Sequence, residues 1–222
     1  MKLPVEVPVM TLPNATLFPQ ALLPLYIFEP KYRKMLKDAL NSHRMFTVAL
    51  QRTDRKRETP SPIAGLGVIR ASVGHQDGTS HLILQGVARV QLVEAVTCTP
   101  YRVHRIKALH SPPCNGIVVD ALQTKMRELL EERLKLGLEF PFPGGQSPPS
   151  GFPPAVTGRE VLECLDRLEE PEHVVDLVSC ALLPGAAERQ ALLETVNLES
   201  RFKMLIHFLM AEIDRHRKDK GK

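Results

Sequence analysis

The sequence predicts an α+β protein, with a β-rich first half that carries one packed helix and an all-helical second half. Three observations predict it. As far as residue 112, apolar residues recur mainly at every second position between proline and glycine punctuation, as in short strands. From Ile117 onward they recur every three or four positions, the period of amphipathic helices. Within the first half only Pro30–Leu40 breaks the alternation: Tyr32, Met35, Leu36, Ala39 and Leu40 share one helical face and Lys31, Lys34, Lys37 and Asp38 the other. Two domains are expected on these grounds, residues 1–112 and residues 113–222.

Val5–Met10 reads as the first strand, and its prolines suggest an edge or a barrel rim. Between Glu6 and Glu29 lie 22 uncharged residues interrupted by Pro8, Pro13, Pro19 and Pro24, which excludes a spanning helix because each interior proline costs about 3 kcal/mol. The run is therefore extended and buried, with Leu12, Phe18 and Leu23 in strand ends or straps. Leu17, Phe18, Tyr26 and Phe28 cannot all point inward if that strap is a single extended layer. Met45–Gln51 is the next strand, and the charged stretch 52–62 is a solvated loop in preference to a phosphate grip. Ile63–Val73 and His81–Val93 flank Asp77-Gly78, a hairpin signal. Leu82, Leu84, Gly86, Ala88, Val90 and Leu92 share one parity, and Ile83, Val87 and Val93 make the other partly apolar. Both faces are then expected to be partly covered, as in a small closed barrel. Gly65, Gly67 and Gly86 fit bulges or sharp bends. Tyr101–Leu109 closes the β region before Ser111-Pro112-Pro113.

In the second half, a helix from Ile117 ends at Gly137. The stretch 138–158 holds six prolines and four glycines and reads as a long exposed or partly disordered loop. It carries Phe140, Phe142 and Phe152. Thr157 and Glu160 fit a capping box that opens the next helix, Pro171 starts another, and Leu183-Pro184-Gly185 stops it. Ala186–Val196 is a short helix, and Asn197 caps the last and longest one. Cys164 and Cys180, on apolar helical stripes, read as buried structural thiols.

An apolar strand, Phe18-Pro19, Leu23-Pro24-Leu25 and then Phe28-Glu-Pro-Lys-Tyr-Arg33 resemble the opening of the Lon substrate-binding domain family. Gly65–Val93 and Val174–Leu209 resemble later blocks of that family, in its order and across nearly the whole chain. The resemblance implies that the first half is a PUA-like pseudo-barrel followed by the helical bundle. It also implies a module that recognises apolar segments of unfolded or partner polypeptides, acting as an adaptor beside a separate protease or unfoldase.

The remaining chemistry fits that expectation. Relatives at full length are ATP-dependent proteases, but no G-x-x-x-x-G-K-[ST] occurs here, and no nucleophile with its base is recognisable. No catalytic residue, cofactor or metal ligand is expected. The eight histidines are scattered, and the four cysteines form no Cys-x-x-Cys. Reduced thiols and the lack of a secretory pattern point to the cytoplasm and not a membrane. Residues 1–115 carry 15 Lys+Arg against 7 Asp+Glu, and the rest 14 against 18. That basic first half supplies the rival reading, RNA binding by a PUA-like barrel, although no ladder of aromatics for base stacking accompanies it. The candidate polypeptide-binding residues are therefore Leu17, Phe18, Tyr26 and Phe28 in the strap and Phe140, Phe142 and Phe152 in the loop.

Overall fold

The structure, a computed structural model, describes residues 2–55, 57–138 and 158–220. The chain forms two compact units, one of residues 1–110 with 185–194 and one of residues 111–184 with 195–222.

The first unit is built on a six-stranded sheet of β1 (Glu6–Leu12), β2 (Leu22–Ile27), β3 (Met45–Leu50), β4 (Ile63–Gly74), β5 (Ser80–Thr97) and β6 (Arg102–Leu109). The order is β2-β5-β4-β3-β1-β6, and β5 pairs again with β6, so β1, β3, β4, β5 and β6 close a ring. Among the described strands only the β1–β3 pair is parallel. Of the two places expected for a proline-bearing strand, edge or barrel rim, the edge is excluded, since β1 lies between β3 and β6. Pro8 is tolerated because the β3 register begins one residue later, at Val9, while the Thr47 hydroxyl donates to the Pro8 carbonyl at 3.0 Å.

The length of β5 makes closure possible. The strand pairs with β2 from Ser80 to Gln85 and with β4 as far as Gln91; pairing with β6 starts at Arg89 and runs to Thr97 with skipped residues at Val93 and Val96. Each skip bends the strand and increases its twist, which turns a ribbon into a barrel wall. The strap between β1 and β2 crosses this wall where side chains are missing. An added Cβ would lie 1.9 Å from the Leu17 carbonyl oxygen at Gly65 and 1.9 Å from that of Phe18 at Gly86. These glycines serve close backbone approach as well as curvature.

Helix α1 (Pro30–Leu40) packs Tyr32, Met35, Leu36 and Ala39 into a core shared with Met10, Leu17, Phe46, Ile69, Leu82 and Leu84. The Tyr32 hydroxyl fastens the helix to β1, accepting from the Thr11 N–H and donating to the Thr11 carbonyl, both at 3.1 Å.

The second unit contains α2 (Gly116–Lys135), α3 (Gly158–Asp166), α4 (Pro171–Leu182) and α6 (Leu198–Lys220); α5 (Ala186–Glu194) belongs to the first unit. This departs from the expected single bundle over residues 113–222. Polar contacts that no periodicity encodes account for it: Gln190 Nε2 donates to the Ile63 carbonyl at 2.9 Å, and Arg89 Nε to the Leu193 carbonyl at 3.2 Å. In the helical unit, Val174, Val178 and Leu182 of α4 and Phe202, Leu205, Leu209 and Ile213 of α6 are buried. Arg201 is buried with them and donates to Asp176 and Glu172, both at 2.8 Å. Asn197 caps α6 by accepting from the Ser200 N–H at 2.9 Å. Cys164 is exposed and Cys180 half-buried, so these thiols do not sit in the interior as expected. No helix among the described residues is long and apolar enough to cross a membrane.

Candidate functional site

Where β2, the first half of β5 and the end of β4 run past the closed ring, they form a three-stranded ribbon with α1 packed against one face. The other face is open. In Leu22-Leu-Pro-Leu-Tyr-Ile27 the strand period sends Leu23, Leu25 and Ile27 inward and Leu22, Pro24 and Tyr26 outward. Register then lines up outward rows across the ribbon: Pro24, Ile83 and Ala71 in one, Tyr26, His81 and Val73 in the next. These rows line an open pocket of about 350 Å³.

This face keeps its apolar side chains in water. Leu22 is 60% exposed, Tyr26 49%, Phe28 58% and Val73 62%. Scattered apolar residues are ordinary on a protein surface, whereas these share one face of one sheet, which makes the face a candidate site. The Tyr26 ring stacks on that of Phe28 at 5.8 Å and lies 4.8 Å from that of His81. Aromatic side chains in such a patch bury much area with few rotamers to freeze, which suits them to binding.

Polar groups border the patch. A register shift between Ile69 and Ala71 leaves Arg70 unpaired in the ladder and exposed, where its Nε donates to Gln85 Oε1 at 2.5 Å. At the hairpin end, His75 Nε2 and His81 Nδ1 are 2.7 Å apart, so one ring donates and the other accepts. The hairpin turns at Gly78, whose φ of 80° suits glycine. On α1, Asp38 accepts from the Tyr101 hydroxyl at 2.7 Å, which with Lys34 holds its carboxyl below the usual range. Burial and Asp38 together push the Tyr101 hydroxyl up to about 12.

The sequence candidates divide sharply. Leu17 and Phe18 are buried, 1% and 0% exposed, because the strap lies flat across Gly65 and Gly86. They belong to the core and are not on the patch. Tyr26 and Phe28 are on it, while Phe140, Phe142 and Phe152 lie outside the described residues. Leu22, Pro24, Ala71, Val73 and Ile83 were missed. For Ile83 the signal is the apolar second parity of β5, which suggests a covered face; instead Ile83 lines the open pocket and Val93 is 58% exposed. Among the described residues no group of three or more histidine, cysteine, aspartate or glutamate side chains is placed to hold a metal ion.

The first unit thus combines a closed β ring with an open apolar ribbon face. The model for the ATP-dependent protease La (LON) substrate-binding domain matches residues 6–211, and the chain belongs to that family. It is 21% identical to the Lon protease of Dictyoglomus thermophilum over 215 residues, covering 96% of this chain and 25% of that protease. It is 28% identical to the Lon protease of Anaeromyxobacter dehalogenans over 215 residues, covering 93% of this chain and 23% of that one. The chain thus spans about a quarter of the length of these curated relatives. Among solved structures, the N-terminal domain of the Mycobacterium avium complex Lon protease superposes with a TM-score of 0.70 at 17% identity, over 92% of this chain and 98% of that one. A Lon N-terminal domain protein from Xanthomonas campestris gives 0.58, also at 17% identity, over 91% of this chain and 97% of that one. At that identity the superpositions establish the fold.

Proposed function

We propose that this chain is a non-catalytic polypeptide-recognition module that binds exposed apolar segments of other proteins on the outward face of the β2-β5-β4 ribbon. The observation that carries this reading is the half-exposed cluster of Leu22, Tyr26, Phe28 and Val73 on a sheet held from behind by α1. Burying apolar area contributes roughly 25 cal/mol per Å², so a few such side chains anchor a segment without any charged contact. Membership of a substrate-binding family supports the same class of ligand. In this reading the module is an adaptor, and any hydrolysis of what it holds is the work of a separate protease or unfoldase.

The test is fluorescence anisotropy with a labelled, reduced and carboxymethylated model protein that stays unfolded. Replacing Tyr26, Phe28 and Val73 together by serine is expected to weaken capture at least tenfold while the melting temperature stays within a few degrees. Unchanged capture by that variant would defeat the proposal. Salt-sensitive binding of a labelled RNA, tighter than micromolar, would favour the nucleic-acid reading instead.

A further inference from the structure

Strand β2 is the last in the sheet order and, among the described residues, pairs only with β5. The phase of that ladder follows from one bond: Gly86 N–H donates to the Ala21 carbonyl at 2.9 Å. The register runs on without a shift through Leu22–Gln85 to Ile27–Ser80. Since antiparallel pairs alternate between bonded and non-bonded, Leu23, Leu25 and Ile27 exchange hydrogen bonds with β5, while Leu22, Pro24 and Tyr26 turn their backbone groups away from it. The same three residues present their side chains on the apolar face. Proline therefore sits where its missing N–H takes nothing from the β5 ladder, and the free edge offers three carbonyls but only two donors.

Resting on the reading of this face as a polypeptide site, we infer that the captured segment binds as an added strand along the free edge of β2, with its apolar side chains at alternate positions over the Tyr26 face. An exposed edge is a template for another extended backbone, which supplies affinity through main-chain hydrogen bonds while alternate side chains fill the pocket beside it. The position of Pro24 argues for a foreign segment over a second copy. Two β2 edges paired with each other bring two prolines and so lack two donors, both from one pair in the register centred on Pro24, whereas a proline-free segment leaves only the one that Pro24 lacks.

The experiment uses a fluorescein-labelled decapeptide of alternating valine and threonine with glutamate ends, titrated against the whole chain. Two further peptides carry N-methyl groups on every valine or on every threonine. Antiparallel addition directs the valine N–H groups at the β2 carbonyls, so the valine-methylated peptide is expected to bind at least tenfold more weakly and the threonine-methylated one within about threefold of the parent. Parallel addition exchanges the two sets, and a clean split in either sense supports the added strand. Pro24→Ala supplies the third donor and is expected to tighten binding of the parent peptide about two- to tenfold. Equal effects of the two methylated sets, or no tightening by Pro24→Ala, would overturn the edge pairing and leave the apolar-face reading standing. Parent-peptide binding that survives serine at Tyr26, Phe28 and Val73 would remove the face reading itself. Sedimentation that shows a dimer displaced by the peptide would make the occupant a second copy and overturn the inference.

Discussion

Replacing Gly86 by alanine tests whether the strap is held by close backbone approach. The added Cβ would stand 1.9 Å from the Phe18 carbonyl oxygen, and contacts under 3.0 Å are not sustained, so the strap must lift by roughly 1 Å. Because the clash is with backbone, no rotamer change relieves it. Lifting strains the bonds from Gln20 N–H to the Gly86 carbonyl and from Gly86 N–H to the Ala21 carbonyl, both 2.9 Å, each with a net contribution of about 0.5–1.5 kcal/mol. It also loosens Phe18 and Leu17, whose complete burial is worth about 1.5–3 kcal/mol apiece. With partial loss of each, the cost is about 3–5 kcal/mol. At about 2–4 °C per kcal/mol for a chain of this size, the melting temperature should fall by about 6–20 °C in calorimetry. Gly65→Ala clashes with the same strap through Leu17, so the double variant should cost less than the two singles together. Gly116→Ala, with nothing within 4 Å of the added methyl, is the control and should change little. A Gly86→Ala protein melting within about 2 °C of the parent would refute the argument.

Phe18→Ala should cost about 3–5 kcal/mol in urea unfolding, since it empties a fully buried site, whereas Phe28→Ser should stay within about 0.5 kcal/mol; similar costs for both would contradict the assignment of one to core and the other to surface. Asp176→Ala leaves the buried Arg201 with Glu172 as its remaining carboxylate and should destabilise by about 3 kcal/mol, measured by denaturant titration. The Asp38–Tyr101 bond predicts a pH response with both signs. Asp38 titrates below its ordinary 3.8 in the folded chain, so its contribution is present above that value and lost as pH falls through the folded pKa. Tyr101 is raised from 10.0 to about 12, so its contribution is present below 10 and lost as pH climbs toward 12. Tyr101→Phe should flatten the melting-temperature profile in both ranges, and an unchanged profile would count against the bond.

Local periodicity carried the helices and most of the strands because their inward faces are written in consecutive residues. The helix Pro30–Leu40 is legible to within a residue of its bounds, since one apolar stripe and one N-terminal proline suffice to define it. Strand β5 runs four residues further than its alternation shows. Glu94–Thr97 has no regular apolar parity, because the skips at Val93 and Val96 break the phase that a period-two reading needs. The α5 helix was visible but its place was not, since Gln190 and Arg89 reach across more than 100 residues to hold it.

The fate of the apolar surplus between Glu6 and Glu29 shows the same division at the site. Composition indicated more large apolar side chains than one extended layer could bury, but not which of them the core would take. That choice is made by Gly65 and Gly86, distant in sequence, which admit the strap at Leu17 and Phe18 and so commit those two side chains to the interior. Past this crossing the chain enters β2, and with α1 already filling the inner side of the ribbon, Leu22, Pro24 and Tyr26 have only the outer side left. The exposed face is thus a consequence of how the core is completed. Its residues contribute little to that core, so stability and binding should separate cleanly by substitution on either side of the strap crossing.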